Sequence, residues 1–483
     1  MTLADLLFTS EAASDDVLVT VDGRATTRVD LERIAGSVAD AVREAGVRPG
    51  QAVAVAMPNG ALLVAALFGV WRAGAVYLPL NPRLTAAEQD RILGVVRPAA
   101  LVTPAGAEGW SVASLDDPVT YPGSVALIQL TSGTTGPPEP VPLAHEQVLG
   151  LLDGVIASLR SRPREPGRAP MPNLIPVSLS LWAGIYQVLF AFRTGAPVVL
   201  MDRFDPVELA RLVVEHGVRS VVLPPAAMAM LVDEPAVTSL APLKYVRSIT
   251  APLSPYQAHR FMDRFGIAVM NSYGQTELGG EIVGWTAADV RDFTATKLGA
   301  VGRPHAGVEV CSVGDDGRAL GADEVGEIVV RTETIRRGAL DPAFADRCTA
   351  DGWFRTGDVG RVDADGFLWV EGRVSDMINR GGLKVTPAEV EEVLRGEPTV
   401  ADVAVVGVAD ERLGEVPWAF VVCTPGSTLD PEALVSACRE HLAPYKVPAG
   451  FGAVEALPRN EVGKVLARDL LERAKTTRSD EPT

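Results

Sequence analysis

The sequence predicts an α/β protein with a large N-terminal domain of parallel sheets and a small C-terminal α+β domain. Three observations support this prediction. Apolar strand patterns alternate with helical patterns through the first three quarters of the 483-residue chain, which is typical of parallel sheets covered by helices. After Val301 the pattern changes to short strands separated by Gly and Asp turns, which indicates a β-rich subdomain. A second change near Gly372 marks the start of the small domain.

The individual elements follow from the spacing of the apolar residues. In the large domain we predict strands at 52–56, 75–80, 99–102, 197–201 and 220–223, and helices at 62–72, 85–95, 182–193 and 206–215. In the small domain we predict helices at 387–394 and 431–441, and strands at 400–408 and 418–423. The resulting division is a large domain 1–372, a hinge 373–376, a small domain 377–474 and a polar tail 475–483 that we expect to be disordered.

Charge and hydropathy exclude two classes of partner. The formal net charge is −17, whereas a nucleic-acid-binding protein needs a basic face to neutralise phosphates, so we expect no nucleic-acid partner. The most apolar stretch, 61–80, is interrupted by Arg72 and Gly74, and we interpret it as a buried helix followed by a strand. The N-terminus has no signal-type pattern. We therefore expect a cytoplasmic protein with no membrane partner.

The sharpest local signal is the segment LIQLTSGTTGPPEPV, residues 127–141, in which an apolar strand leads into six Ser, Thr and Gly residues. Glycines let several backbone N–H groups converge, and hydroxyls add donors without bulk, which suits an anion. The segment is not a Walker A loop, because no Gly-Lys-Ser/Thr follows. On its own, such a loop after a strand is more often a plain turn than a phosphate site.

Four further segments occur in order along the chain: NSYGQTE (271–277), WFRTGD (353–358), EGRVSDMINRGGLKVTPAEVEEVL (371–394) and PRNEVGKVLAR (458–468). Together with TSGTTGPP they resemble the ordered motifs of the adenylate-forming superfamily. That superfamily comprises acyl- and aryl-CoA ligases, the adenylation domains of peptide synthetases and the beetle luciferases. The resemblance extends over residues 20–468. It implies an ATP- and Mg²⁺-dependent enzyme that activates a carboxylic acid, with a small domain that moves about the hinge.

The resemblance also implies roles for individual residues. The triphosphate would contact the loop residues Thr131, Ser132, Gly133, Thr134, Thr135 and Gly136. The rest of the nucleotide would contact Asn271, Tyr273, Gly274, Asp358 and Arg373, with Tyr273 stacked on adenine and Asp358 accepting hydrogen bonds from the ribose hydroxyls. Thr276 would contact the α-phosphate, Glu277 would bind Mg²⁺ as a catalytic and metal-binding carboxylate, and Ser375 would be the hinge residue.

Lys464 would be the main catalytic cation. Lysine is found at only six positions of a chain with 44 basic residues, and Lys464 lies in the last of the motifs. An ammonium that contacts both the acid carboxylate and the α-phosphate stabilises the charge that develops as they react. Without the motif, a lone C-terminal lysine would be interpreted as a solvated surface charge.

The chain departs from the family pattern in three places. Glu139 follows the phosphate loop where relatives usually have Lys-Gly, which places a carboxylate near the triphosphate. The segment SITAPL, 248–253, matches the adenine-edge strand but lacks its usual glycines. In the acid-binding segment, Leu181 stands where many relatives have His or an aromatic residue.

The acid-binding segment and the glycines after Glu277 predict the chemical class of the carboxylic acid substrate. Leu181 and Trp182 would line its site, and Gly279 and Gly280 would leave room for a flat aryl or unsaturated acyl group. No Asp lies between residues 176 and 184 to hold an α-ammonium, so an α-amino acid is disfavoured.

The sequence leaves several alternatives open. The leading hypothesis is a ligase that transfers the acyl group to CoA or to the phosphopantetheine of an acyl carrier protein. The alternatives are an amide synthetase, a nitrite-dependent diazotase and a nucleotide-binding pseudoenzyme. The oligomeric state is left open between monomer and dimer.

Overall fold

The computed structural model describes residues 1–9, 12–106, 109–130, 139–159, 170–332, 346–459 and 464–479. Its architecture agrees with the predicted α/β fold class. Three sheets rich in parallel strands and one antiparallel sheet precede residue 374, and a fifth sheet lies in the C-terminal part.

The strands of the described residues are numbered in chain order. They are β1 (Val17–Val21), β2 (Arg24–Thr27), β3 (Ala52–Val55), β4 (Val76–Pro79), β5 (Ala100–Ala105), β6 (Gly109–Ser114), β7 (Val125–Leu130), β8 (Pro140–Ala144), β9 (Asn173–Ile175), β10 (Val198–Leu200), β11 (Ser220–Leu223), β12 (Tyr245–Ser248), β13 (Ala268–Gln275), β14 (Gly280–Gly284), β15 (Arg303–Pro304), β16 (Val308–Val313), β17 (Gly326–Thr332), β18 (Phe354–Val362), β19 (Leu368–Arg373), β20 (Ile378–Arg380), β21 (Leu383–Val385), β22 (Val400–Asp410), β23 (Gly414–Cys423) and β24 (Gly450–Ala453).

The α-helices are numbered in the same way. They are α1 (Asp5–Phe8), α2 (Arg28–Glu44), α3 (Ala61–Arg72), α4 (Ala86–Val96), α5 (His145–Leu159), α6 (Trp182–Arg193), α7 (Pro206–Glu215), α8 (Pro225–Asp233), α9 (Pro255–Phe265), α10 (Ala287–Lys297), α11 (Pro387–Arg395), α12 (Pro431–His441) and α13 (Ala467–Ser479).

The first sheet has the order β6-β5-β3-β4-β7-β8, with parallel pairing from β5 through β7 and antiparallel strands at both edges. Its central strand β3 is buried at every position, as expected for a sheet covered on both faces. Helix α3 is buried along nearly its whole length, because Gly69 lets it approach α2 closely: a Cβ there would lie 2.6 Å from the carbonyl oxygen of Ala35. The apolar stretch 61–80 is thus a buried helix and strand, as predicted. None of the helices in the described residues has the length and apolarity needed to cross a bilayer.

The second sheet positions most of the candidate site. Its order is β11-β12-β13-β14-β15, with β11, β12 and β13 parallel and β14 and β15 antiparallel. Strand β13 ends in a 3₁₀ turn, Thr276–Leu278, from which the chain reverses into β14. A smaller sheet, β2-β1-β10-β9, lies beside helix α6.

The β-rich subdomain predicted after Val301 is the antiparallel sheet β16-β17-β18-β19. In its register Asp358 on β18 lies opposite Arg373 at the end of β19. The chain then passes through a 3₁₀ turn, Val374–Asp376, into the C-terminal sheet β21-β20-β23-β22, with β24 added beside β23. One core of this part forms where α11 and α12 pack on the sheet through Val390, Leu394 and Leu434.

The C-terminal end differs from the expectation. We expected disorder from Lys475, but α13 continues to Ser479. Leu470 and Ala474 are buried against β22 and β23, and the helix extends by about one further turn beyond this anchor. Residues 480–483 lie outside the described part of the chain.

Candidate active site

Residues from distant segments of the sequence line one cleft of about 1720 Å³. It contains most of the residues predicted for the site: Leu181, Trp182, Asn271, Tyr273, Gly274, Thr276, Glu277, Gly280, Asp358, Arg373, Ser375 and Lys464. The large N-terminal part and the C-terminal part both contribute to the cleft walls.

The predicted triphosphate loop, Thr131 to Gly136, lies outside the described residues. Its two flanks are described. Gln129 and Leu130 at the end of β7 line the cleft, and so does Glu139 just before β8. Glu139, which stands where the family pattern has a lysine, therefore lines the cleft.

Asp358 is held by three donors at the cleft wall. The Tyr273 hydroxyl donates to its Oδ2 at 2.6 Å, the Gln275 side-chain amide donates to the same atom at 2.5 Å, and Arg373 Nε lies 3.0 Å from Oδ1. Asp358 is only 5% exposed. Burial raises the pKa of Tyr273 well above its ordinary value, and the Asp358 charge adds to this, so the hydroxyl remains a donor. The carboxylate is therefore oriented before a ligand binds.

Gln275 is a site residue that sequence reasoning missed. Its side-chain amide also donates to the Thr356 carbonyl at 2.9 Å, which ties β13 to β18. The sequence feature that could have identified Gln275 is its position inside the motif NSYGQTE, two residues after the tyrosine predicted to stack on adenine.

Glu277 is paired with an arginine that sequence reasoning also missed. Arg347 NH1 donates to Glu277 Oε1 at 3.0 Å. The guanidinium is anchored by hydrogen bonds to the carbonyls of Arg355 and Thr356, and lies 4.4 Å above the Phe354 ring. No local sequence signal indicates this pair, which spans 70 positions.

The donor set around Glu277 fits a magnesium ion shared with a substrate. The described residues contain no group of three or more His, Cys, Asp or Glu side chains arranged to hold a metal ion. Mg²⁺ in nucleotide sites is usually bound by one or two carboxylates together with phosphate oxygens. A single, partly exposed Glu277 carboxylate, with a side chain 21% exposed, meets that requirement.

Lys464 enters the cleft from the C-terminal part. Burial lowers the pKa of its ammonium below the ordinary value of 10.5, and the charge of Arg373 lowers it further, while Asp376 and Asp358 act in the opposite direction. The Lys464 ammonium and the Asp358 carboxylate thus line the same cleft and interact electrostatically. Residues 460–463 of the same motif lie outside the described residues.

Ser375 lies in the 3₁₀ turn that connects the two parts of the chain. Its hydroxyl donates to Asp376 Oδ1 at 2.9 Å, and both residues are exposed. Only two positions separate it from Arg373.

The end of the cleft that holds the residues predicted to bind the acid is called the acid end, and it is built around α6. Trp182 opens the helix, and its indole N–H donates to the Gly279 carbonyl at 3.1 Å. Gly280 has φ +142°, and a Cβ there would lie 3.2 Å from the Tyr186 ring, so glycine lets the backbone pack against that ring without strain. Gly279 instead packs against Leu151, where a Cβ would lie only 2.5 Å away.

The segment SITAPL also borders the cleft. Ile249, Thr250 and Ala251 line it directly after β12. Thr250 has φ +75°, a conformation that glycine adopts more easily than a β-branched residue. Thr250 therefore holds a left-handed backbone conformation at the cleft wall.

Comparisons with known proteins identify the family of the chain. A family model described as AMP-binding enzyme matches residues 9–340, and one described as AMP-binding enzyme C-terminal domain matches residues 389–464. A feruloyl-CoA synthase from an Amycolatopsis species is 33% identical to the chain, with 93% of this chain and 94% of that protein covered.

Two solved structures are similar over nearly their full length. The o-succinylbenzoate CoA synthetase MenE from Bacillus subtilis, in complex with its acyl-adenylate intermediate, has a TM-score of 0.82 and 25% identity, and covers 97% of this chain and 98% of its own. The amide bond synthetase McbA from Marinactinospora thermotolerans has a TM-score of 0.82 and 28% identity, with 98% and 99% covered. The chain belongs to the AMP-binding enzymes of the adenylate-forming superfamily.

Proposed function

We propose that the protein uses ATP to activate a carboxylic acid as its acyl-adenylate, releases pyrophosphate, and transfers the acyl group to the thiol of CoA or of a carrier protein. The observation that carries the proposal is the convergence of Asp358, Glu277 and Lys464 in one cleft, although they come from separate segments of the chain. ATP is an intracellular substrate, and we expect the reaction in the cytoplasm.

In the first step a carboxylate oxygen of the acid attacks the α-phosphorus, and the bond to the pyrophosphate oxygen breaks. Asp358 would hold the ribose, since its carboxylate is already oriented by Tyr273 and Arg373. Glu277 would hold Mg²⁺, which when bound neutralises phosphate charge. The Lys464 ammonium would bring the two anionic reactants together and stabilise the charge of the transition state.

In the second step a thiol attacks the acyl carbon and AMP leaves. We infer from the resemblance that the C-terminal part rotates about Ser375 between the steps. A hinge needs only a residue that can absorb a change of φ and ψ, and exposed Ser375 satisfies this.

The substrate class is inferred from the acid end of the cleft. The expected class stays a flat aryl or unsaturated acyl acid, because Gly280 lines the cleft and adds no side chain to it. Glu281 also lines the cleft, but its carboxylate is paired with Arg247 and His305, so it does not offer the unpaired carboxylate that an α-ammonium requires. An α-amino acid therefore remains disfavoured.

The proposal is tested by acid-dependent exchange of labelled pyrophosphate into ATP across a panel of aryl, cinnamic and alkyl acids and nitrite. We expect exchange with at least one aryl or unsaturated acid and none with α-amino acids. Adding CoA, a phosphopantetheinylated carrier protein or an amine then identifies the acceptor. ATP binding without exchange for any acid would favour the pseudoenzyme instead.

A further inference from the structure

The segment that carries Lys464 is closed into a loop by backbone contacts. The Leu466 N–H donates to the Pro458 carbonyl at 2.8 Å. Arg459 and Val465 form an antiparallel bridge, and Lys464 directly precedes that bridge. The backbone of Lys464 is therefore placed by these four residues, here called the loop base.

An ion pair joins the loop base to strand β22. Arg459 NH2 lies 2.6 Å from Asp402 Oδ2. The other carboxylate oxygen, Oδ1, accepts from the Val403 N–H at 2.9 Å, so Asp402 is oriented by its own strand. The pairing register of β22 also shifts between Val400 and Asp402, and such irregularities re-aim a side chain. The loop base is thus tied to a carboxylate that has a fixed direction.

Apolar packing and the ion pair hold this segment at different places. Leu457, just before the loop base, is buried in the core that α13 forms with β22 and β23. Asp402 and Arg459 line the cleft, and so does Lys464. The core can therefore hold the chain segment, whereas the ion pair lies where a shift of the loop would move the ammonium.

The ammonium needs such an anchor, because its position is unfavourable for a free cation. Burial lowers the pKa of Lys464, so the charged form is less stable there than in water. A lysine side chain is long and flexible and turns its charged end toward water where it can. A loop base free to shift would let the ammonium leave the cleft.

Position explains the ion pair better than stability does. The Arg459 and Asp402 side chains are 35% and 30% exposed, and ion pairs of this kind contribute little to folding. A misplacement of about 1 Å near a reacting centre can lower a rate by about 100-fold. The same contact can thus have a small effect on folding and a large effect on the reaction.

We propose that Arg459, paired with Asp402, is a positioning residue that holds the Lys464 ammonium at the reacting groups during adenylation. The inference rests on the proposed function, in which Lys464 acts on the acid carboxylate and the α-phosphate. Arg459 itself acts through Lys464 and needs no contact with the substrate.

The test compares Arg459→Met, Asp402→Leu and the double variant with wild type, using an acid that wild type adenylates. We expect each single variant to lower kcat for pyrophosphate release by about 10- to 100-fold and to leave KM for ATP unchanged. The double variant should be no slower than either single variant, because both changes remove the same contact. Arg459→Lys, which keeps a cation beside Asp402, should retain most of the rate.

The second half-reaction separates a positioning role from a structural one. Transfer of the acyl group from a synthetic acyl-adenylate to the acceptor thiol should be unchanged in these variants, since the proposed mechanism uses Lys464 only in the first step. The control is Arg331→Met, which removes an ion pair of the same 2.6 Å length with Glu309 on the antiparallel sheet. The Arg331 side chain is 31% exposed, close to that of Arg459, and its loss should change neither step.

Equal losses in both steps, additive losses in the double variant, or full activity of Arg459→Met would overturn the inference. If wild type adenylates no acid, the proposed function fails, and the position of Lys464 is then measured directly. Labelling with acetic anhydride across pH, read by mass spectrometry, gives the pKa of the Lys464 ammonium.

Asp402→Leu is the decisive variant for that measurement. Loss of a negative charge would by itself lower the pKa of Lys464, so a rise toward 10.5 would report release of the ammonium into water. We expect that rise. An unchanged or lower pKa in Asp402→Leu would count against the positioning role.

Discussion

Arg347 donates a 3.0 Å hydrogen bond to Glu277, the carboxylate predicted to bind Mg²⁺. The side chains are 36% and 21% exposed, so the pair is partly solvated. The guanidinium and the metal ion would compete for the same carboxylate. The apparent affinity for Mg²⁺ therefore depends on how much more strongly Glu277 interacts with the metal ion than with Arg347.

Replacing this arginine should change the requirement for metal. We expect Arg347→Met to lower the Mg²⁺ concentration at half-maximal pyrophosphate exchange by up to about 5-fold, since a partly exposed ion pair is worth roughly 0.2–1 kcal/mol. Arg355→Met is the matched control, because Arg355 pairs with Glu327 on the same sheet and does not line the cleft. A higher Mg²⁺ requirement in Arg347→Met would show that the arginine assists the metal instead.

Removing the Asp358 charge should weaken nucleotide binding, because the ribose hydroxyls lose a charged hydrogen-bond acceptor. We expect Asp358→Asn to raise the Kd for ATP by about 10- to 100-fold, because hydrogen bonds to a charged group contribute roughly 1.5–3 kcal/mol. Calorimetry with ATP and 2′-deoxyATP provides the internal control. Wild type should discriminate between them and the variant should not. Undiminished discrimination by Asp358→Asn would assign the ribose to another residue.

The depressed pKa of Lys464 should appear in the pH profile. Because burial and Arg373 disfavour the charged form, the ammonium loses its proton below pH 10.5, and the adenylation rate should fall on the alkaline side at a lower pH than an ordinary lysine would allow. The pH dependence of stability runs the other way: the adenylation rate falls as pH rises, whereas the contribution of Lys464 to the free energy of unfolding increases. Between the folded and unfolded pKa values the unfolded chain binds more protons, so this group's contribution to the free energy of unfolding rises with pH.

Two variants check this assignment. Lys464→Arg should lose the alkaline limb, since a guanidinium stays protonated, although its rate is lower. Lys464→Ala should reduce adenylation by about 10²- to 10³-fold and leave the Kd for ATP nearly unchanged. An unchanged alkaline limb in Lys464→Arg would assign the titration to another group.

Gly280→Ala should impair acid binding selectively. The new Cβ would meet the Tyr186 ring at 3.2 Å in a backbone conformation with φ +142°. We expect kcat/KM for the acid to fall about 10-fold or more, since such strain costs roughly 1–3 kcal/mol, while the Kd for ATP is unchanged. Gly36→Ala, in the open on helix α2, should leave both parameters unchanged. Equal losses for acid and ATP would indicate a general folding defect, which thermal melting would reveal.

Local patterns were sufficient to predict part of the elements of the fold. Helices α6, α7 and α12 have the predicted bounds, because an apolar face and a terminal signal coincide in each. Asp205 shows how the signal works: its side chain accepts from the Glu208 N–H, and Pro206 occupies the first turn. Such information lies within a few residues of each boundary.

The missed site residues depend on contacts between distant segments. Arg347 meets Glu277 across 70 positions and Arg247 meets Glu281 across 34. Neither pair leaves a periodic or spaced pattern in the sequence, because the partners lie on separate segments that only the folded chain brings together. The motif residues could be predicted only because the superfamily repeats them in order.

The register that pairs Asp358 with Arg373 has a mechanical consequence. Strand β19 ends at Arg373, and the turn with Ser375 begins immediately afterwards. We therefore expect the nucleotide ribose to be bound next to the hinge of the proposed rotation, where the C-terminal part moves least relative to the rest of the chain. An acyl-adenylate bound at this position would remain in place while the C-terminal part rotates. The same bound molecule would then take part in both half-reactions without being released.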